Sequence, residues 1–244
     1  MHHGNMLEEA MIRAEDKQFE EEIISGGHHI ALPFEMSITE NGIDILAYSF
    51  CLDIAREFEE KYSSSPTSPE AKSFLYSRLL PIMDELDYGS DGDACRVHLE
   101  YRCTSPDTSK ILPICRIIDT LDGARYNESL PLDEFELNPS DEIDRMAVIE
   151  EGGEIVCFCG INDISGEDGL LEITVECAEE HRGKGYGTSC VAKLTEYLIS
   201  KGEEVVYICT ETNEPSKRTA IAAGFELNKT VMPFVCYKKE TDEE

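Results

Sequence analysis

The segment at residues 180–188, Glu-His-Arg-Gly-Lys-Gly-Tyr-Gly-Thr, has the residue types of a phosphate-binding turn. Its alternating glycines let the backbone turn sharply and approach a ligand closely. We expect a helix to begin here, and the first amides of a helix have no partner within it and attract an anion. Arg182 and Lys184 add positive charge to a strongly acidic chain. The segment therefore predicts a phosphate or pyrophosphate on the backbone amides of residues 183–188.

The glycine spacing separates three classes of phosphate-binding turn. A Walker loop requires Gly-Lys followed by Ser or Thr, whereas Lys184 is followed by Gly185. A dinucleotide-binding fold requires GxGxxG directly after its first strand, which differs from the alternating glycines found here. The third pattern is Arg-x-x-Gly-x-Gly, which Arg182, Gly185 and Gly187 match. This pattern resembles the acetyl-CoA signature of the GNAT superfamily of N-acetyltransferases, and a tight turn without any ligand is the alternative that remains.

The residues that follow the turn extend the resemblance. Apolar periodicity predicts a helix over residues 186–201, and the nearly continuous apolar run Val205–Thr210 predicts a central strand buried on both faces. Asn213, Ser216 and the pair Gly224-Phe225 come next, in the order typical of GNAT proteins. The chain is therefore similar to the bacterial GNAT subgroup with the pattern N-x-x-S…GF.

The resemblance covers about residues 140–240 and implies a fold for that part of the chain. We expect an α/β (α+β) domain over residues 138–244, with a mixed, mostly antiparallel sheet, splayed central strands and flanking helices. Residues 1–137 resemble no family. They are expected to form an additional N-terminal α/β region, either an expanded substrate side of the same fold or a separate domain.

The resemblance also implies a cofactor and a reaction. The pyrophosphate of acetyl-CoA would lie on the amides of residues 183–188, and its pantetheine arm would pair like a strand where two strands separate. An amine would attack the thioester carbonyl directly, without an acyl-enzyme. The implied cofactor-binding residues are Val175, Glu176, Cys177, Arg182, Gly183, Lys184, Gly185, Tyr186, Gly187, Thr188, Asn213 and Ser216.

Direct attack requires a base that removes a proton from the ammonium form of the acceptor. Glu172 is the first candidate and Glu176 the second, since alternation along the strand at residues 170–177 places both on one face. Each of them is equally compatible with a solvated carboxylate. Many GNAT proteins carry a tyrosine acid seven residues after the asparagine, where this chain has Ala220. The departure leaves open a catalytically degenerate module that binds acyl-CoA or has a regulatory role.

The charge of the chain constrains its partners. Its 51 acidic and 21 basic residues give a formal net charge of −30. Such a field repels nucleic acid and anionic membrane surfaces and attracts cationic ligands. Solubility alone is the alternative explanation of this charge. Together with the resemblance to N-acetyltransferases, the charge leads us to expect an amine-bearing, cationic acceptor. The oligomeric state stays open, with a homodimer as one option.

The ten cysteines show no CxxC spacing, so no metal site is predicted from them. Cys157 and Cys159 are expected to be buried in the sheet, since thiols in apolar runs behave as small hydrophobes. Abundant thiols without a signal peptide or an apolar run of about 20 residues favour the reducing cytoplasm.

Local patterns predict the remaining elements. We expect a helix over residues 6–24 that stops at Ser25-Gly26-Gly27, a hairpin at Asn41-Gly42, and a hairpin at Glu151-Gly152-Gly153. Further helices are predicted over 52–62, 70–87, 110–121 and 215–223, and further strands over 94–103, 170–177 and 231–238.

Overall fold

The computed structural model describes residues 11–14, 22–24, 28–121, 127–165 and 169–239. Its strands in chain order are β1 (Met11–Ala14), β2 (Glu22–Ile24), β3 (His28–Thr39), β4 (Gly42–Ala47), β5 (Tyr88–Gly89), β6 (His98–Cys103), β7 (Arg116–Ile118), β8 (Met146–Glu151), β9 (Glu154–Ser165), β10 (Leu170–Cys177), β11 (Val205–Thr210) and β12 (Glu226–Lys238). Its α-helices are α1 (Leu52–Tyr62), α2 (Pro69–Glu85), α3 (Tyr186–Ser200) and α4 (Glu214–Ala222).

The chain divides into two compact units. The first contains residues 1–98 and 229–244, and the second contains residues 99–228. The boundary predicted at 137/138 therefore lies inside the second unit. Residues 99–137, which the sequence assigned to an N-terminal region, share a unit with the glycine-rich turn.

In the first unit, the sheet order is β1-β4-β3-β12, with β2 on β3 and β5 on β12. The hairpin predicted at Asn41-Gly42 is confirmed, because Thr39 pairs with Gly42 across a two-residue turn. Helix α2 begins at Pro69, one residue before the predicted start, and the Ser68 hydroxyl caps it by accepting a hydrogen bond from the Ala71 amide at 3.2 Å. Large side chains fully buried in this unit's core include Phe34, Phe58, Leu75, Leu79 and Phe234.

The helix predicted over residues 6–24 is wrong where the structure describes it. Met11–Ala14 is a strand that pairs in parallel with β4, and Glu22–Ile24 is a strand antiparallel to β3. Apolar residues at near-helical spacing are a weak signal, and pairing with a distant strand overrides it. The rest of this prediction, including its stop at Ser25-Gly26-Gly27, lies outside the described residues.

In the second unit, the sheet order is β6-β11-β10-β9-β8-β7. Strands β7 to β10 pair antiparallel in succession, and β10 pairs with β11 in parallel. Helix α3 packs on β8, β9 and β10. Of the apolar stripe predicted on this helix, Cys190, Val191, Leu194 and Leu198 are buried and Tyr197 is half-buried. The predicted fold of this region, a mostly antiparallel mixed sheet with separating central strands and flanking helices, is confirmed.

The helix predicted over residues 110–121 is wrong. The segment contains only the end of a 3₁₀ turn at Thr108–Lys110, followed by the edge strand β7, in which Ile117 pairs with Ala147 of β8. Pro113 lacks the amide hydrogen that a helix interior needs. The apolar residues that suggested a helix instead pack on the sheet core, Ile111 and Leu112 among them.

Candidate cofactor site

The two central strands of the second unit separate partway along their length. Leu171 pairs with Val205 and Glu172 with Val206, and the ladder ends there although β10 continues to Cys177 and β11 to Thr210. The opposite edge of β10 stays paired with β9 throughout. Residues 173–177 therefore present an open backbone edge toward β11, as expected for the splayed strands.

A tight turn connects β10 to α3 and carries the glycines of the motif. Gly183 has φ 77° and Gly185 has φ 80°, both in the left-handed region that glycine occupies without steric cost. A Cβ at either position would meet no protein atom within 4 Å, so backbone conformation explains these glycines and packing does not. Gly185 is the N-cap of α3, and its carbonyl accepts the Ser189 amide at 3.0 Å. The first amides of α3 have no acceptor within the helix, so they can donate hydrogen bonds to a ligand.

A cavity of about 660 Å³ joins this turn to the gap between the strands. Every predicted cofactor residue except Lys184 lines it. Its lining comprises Val175, Glu176, Cys177, His181, Arg182, Gly183, Gly185, Tyr186, Gly187, Thr188, Tyr207, Asn213, Pro215, Ser216, Arg218, Thr219 and Ala222. Its size falls within the ~300–1,000 Å³ typical of small-molecule sites.

Lys184 is turned toward a carboxylate of the protein. Its Nζ lies 3.3 Å from Glu151 Oε2 and 3.1 Å from His181 Nδ1. His181 Nδ1 is itself 2.9 Å from Glu151 Oε2, and the Tyr186 hydroxyl donates a hydrogen bond to Glu151 Oε1. That hydrogen bond is the main cause that lowers the pKa of Glu151 and raises the pKa of Tyr186. Glu151, at the end of β8, therefore holds three residues of the turn in place.

Two other cations face the cavity. Arg182 donates from Nε to the Cys177 carbonyl at 3.1 Å, which ties the turn to the end of β10. Arg218, on α4, is exposed and lines the cavity from the opposite wall. Sequence reasoning did not select Arg218, although a basic residue two positions after Ser216 was a usable signal.

Asn213 has a structural contact of its own. Its Oδ1 accepts a hydrogen bond from the Ser216 amide at 3.1 Å and so caps α4. Pro215 lies in the first turn of that helix. Asn213 and Ser216 both line the cavity, as the sequence predicted. The side-chain oxygen of Asn213 is thus occupied by the helix that forms one wall.

The two candidate bases occupy different places. Glu176 is exposed and lines the cavity. Glu172 is half-buried at the last paired position of β10, beside a bulge, with Oε1 3.5 Å from Asn162 Nδ2, and it is not part of the lining. Geometry therefore favours Glu176 over the first candidate, and the role of either carboxylate stays a prediction.

Three further residues bear on the reaction. Ala220, at the position of the family tyrosine, is fully buried. Cys177 lines the cavity, but a hydrogen bond with the Cys157 thiol, together with burial, raises the pKa of its thiol and disfavours a nucleophilic thiolate. Tyr207 of β11 also lines the cavity and was missed from the sequence, where a tyrosine within an apolar strand was the available signal.

The site thus combines a helix N-terminus that follows left-handed glycines with two parallel strands that separate. This arrangement is suited to an extended ligand with an anionic group. Residues 114–225 match the model of the acetyltransferase (GNAT) family. The matched residues lie entirely within the second unit and include the whole lining of the cavity.

Similarities to individual proteins are weaker or cover less of the chain. A 50-residue segment, 20% of this chain, is 36% identical to the uncharacterized N-acetyltransferase p20 of Bacillus licheniformis and spans 28% of that protein. A GCN5-related N-acetyltransferase-like protein from Streptococcus suis 89/1591 is 16% identical, with a TM-score of 0.47, over 87% of this chain and 88% of its own. The Salmonella typhimurium protein yncA, solved with acetyl-CoA, is 22% identical, with a TM-score of 0.32, over 40% of this chain and 66% of its own.

Among the residues that the structure describes, no helix has the length and apolar character needed to cross a membrane.

Proposed function

We propose that this chain is an acetyl-CoA-dependent N-acetyltransferase that transfers an acetyl group to a cationic amine by direct attack. The observation that carries the proposal is the continuity of one cavity from the first turn of α3 to the open edge of β10. An extended cofactor with a pyrophosphate at one end requires both features together.

The residues of the cavity fit acetyl-CoA. The amides at the start of α3 offer donors to the pyrophosphate, and Arg182 and Arg218 supply charge on two walls. The open backbone edge at Val175 and Cys177 offers donors and acceptors to the amides of the pantetheine arm. When bound, the cofactor would supply an activated acetyl group as a thioester.

The acceptor must lose a proton before it attacks. A lysine-like ammonium has a pKa of about 10.4, so only about one in a few thousand is free amine at pH 7. Glu176, on the cavity wall, could attract the ammonium and pass its proton to solvent through water. Glu172 is the alternative base, from its place at the vertex where the strands separate.

The charge of the chain supports a cationic acceptor. A net charge of −30 raises the local concentration of cations around the protein and disfavours nucleic acid and anionic membranes as partners. All ten cysteines carry free thiols, which supports a reducing compartment, and we propose the cytoplasm.

A second candidate is a module that binds acyl-CoA without catalysis. The buried Ala220, where many family members carry a tyrosine, is the observation that favours it. The two candidates agree on cofactor binding and differ only in turnover.

One experiment on the full chain separates them. Calorimetry measures CoA binding, and mass spectrometry measures acetylated product over a panel of diamines, amino acids and lysine peptides. Thiol-reactive dyes are avoided, because the partly exposed thiol of Cys177 would add to the signal from released CoA. The matched control for each amine is the alcohol of the same skeleton. Binding with amine-dependent product supports the enzyme, binding without product supports the module, and absence of CoA binding overturns both.

A further inference from the structure

Tyr207 lies where the two central strands begin to separate. The last ladder pair is Glu172 with Val206, so Tyr207 is the first residue of β11 beyond the paired region. It is 3% exposed, yet it lines the cavity. Its ring packs edge-to-face on Phe225 with centroids 5.9 Å apart, which fixes its direction. Tyr207 therefore forms part of the cavity wall at the point where the strands separate.

A neighbour on α4 acts on the phenol of Tyr207. The side chain of Ser216, in the first turn of that helix, favours the ionised phenol and so lowers its pKa, but burial has the larger effect. Burial raises the pKa of Tyr207 to about 12, with smaller contributions from neighbouring groups that include Glu176. The phenol therefore stays protonated at neutral pH and serves as a donor in every molecule. Glu176 and Tyr207 thus face the same cavity from the two separating strands.

Ser216 and Ala220 are four residues apart, so they lie one above the other on the same face of α4. Ala220 is fully buried in the same core cluster as Tyr207. Because residue 220 is an alanine, this face of α4 carries no hydroxyl at position 220. Tyr207, on β11, lines the same cavity as Ser216, which lies one turn earlier on that face.

We propose that Tyr207 is the catalytic residue that donates a hydrogen bond to the departing sulfur of CoA. The inference rests on the proposed function, because it requires acetyl-CoA in this cavity. In the transfer, the amine nitrogen bonds to the thioester carbon, the carbon–sulfur bond breaks, and its electron pair stays on sulfur. The Tyr207 hydroxyl stabilises that negative charge. The proton lost by the attacking nitrogen balances the proton that the thiolate finally takes from solvent, so Tyr207 is unchanged after each cycle.

The test compares Tyr207→Phe with Tyr197→Phe. Each variant removes one hydroxyl and keeps its ring, and the Tyr197 hydroxyl donates to the Glu142 carbonyl, outside the cavity lining. We expect Tyr207→Phe to lower kcat by about 100-fold, the lower range for loss of one donor that stabilises developing charge, with little change in the KM for acetyl-CoA. Tyr197→Phe should retain wild-type kcat.

A binding measurement gives a readout that does not depend on turnover. Wild type should bind CoA about three- to tenfold more tightly than desulfo-CoA, the value of one neutral hydrogen bond, and Tyr207→Phe should lose that preference. A purely structural role for the phenol would weaken both ligands equally. Thermal unfolding of each variant verifies that it is folded.

The outcomes separate the two proposals. If wild type binds CoA and forms product while folded Tyr207→Phe keeps both its kcat and its preference for CoA, the role of Tyr207 is refuted and the proposed function stands. If wild type binds CoA without turnover, the preference for CoA over desulfo-CoA still decides the contact between Tyr207 and sulfur. If wild type does not bind CoA, the proposed function fails and the inference falls with it.

Discussion

The two ends of α3 carry glycines with the same backbone requirement and different surroundings. Gly185 precedes the helix with φ 80°, and Gly202 follows it with φ 91°. A Cβ at either position would meet no protein atom within 4 Å. Gly185 lines the cavity, and Gly202 does not. An alanine at each position therefore imposes the same strain, while only one of them faces the proposed pyrophosphate.

We expect Gly185→Ala and Gly202→Ala each to lower the free energy of unfolding by about 1–2 kcal/mol, the cost of a left-handed conformation for a residue with a Cβ. The affinities for CoA should diverge. Loss of one hydrogen bond from an amide to a charged phosphate costs about 1.5–3 kcal/mol, so Gly185→Ala should bind roughly 10- to 100-fold more weakly. Gly202→Ala should bind like wild type. Gly185→Asp adds repulsion between like charges and should bind more weakly still.

Urea unfolding measures the two stabilities, and calorimetry measures CoA binding to each folded variant. A folded Gly185→Ala variant that binds CoA with unchanged affinity would refute the contact between this turn and the pyrophosphate. An equal loss of affinity in Gly202→Ala would also refute it, because strain transmitted along α3 would then explain both effects.

Three further predictions concern the reacting end of the site. Glu176→Gln should lower kcat/KM by about 100-fold, and part of the loss should be recovered at high pH, where the amine is already free. Glu172→Gln should lower kcat/KM less. If steady-state kinetics give the reverse order, Glu172 is the base. Ala220→Tyr should lower the free energy of unfolding by about 1–3 kcal/mol, because residue 220 is fully buried, and should not raise kcat; a 100-fold gain in kcat without loss of stability would contradict the packing argument. Cys177 should react with iodoacetamide at pH 8 more slowly than glutathione, since its pKa is raised and its thiolate population reduced; peptide mass spectrometry that finds an equal or faster rate would refute this.

Local signals predicted the elements around the cavity. The glycines at 183 and 185, the apolar stripe of α3 and the run Val205–Thr210 each encode their own conformation, and the structure places them as expected. Segments whose structure depends on a distant partner were mispredicted. Met11–Ala14 is a strand because it pairs with β4, and Arg116–Ile118 is a strand because it pairs with β8.

The side-chain partners within the site could not be predicted from the sequence, because they too are distant along the chain. Lys184 was expected to face a phosphate, but its partner is Glu151, 33 residues earlier in the chain. No sequence pattern predicts a contact between a hairpin residue such as Glu151 and a turn residue such as Lys184 at that separation. Tyr207 lies within an apolar run that indicates burial, and only the separation of β10 from β11 shows that this residue lines a cavity.

If the proposed cofactor binds at the open edge of β10, that edge connects the lifetime of this protein to metabolism. Backbone groups at residues 173–177 face β11 without a ladder, so a ligand bound there adds hydrogen bonds to the folded state. A ligand that bonds to this edge in the folded state alone stabilises the fold by RT ln(1 + [L]/Kd), about 2.7 kcal/mol at a ligand concentration of 100 Kd. A cell rich in the cofactor would then keep more of the protein intact, and a cell depleted of it would lose the empty form to proteases first. The abundance of the protein would follow the supply of its own cofactor without any change in synthesis.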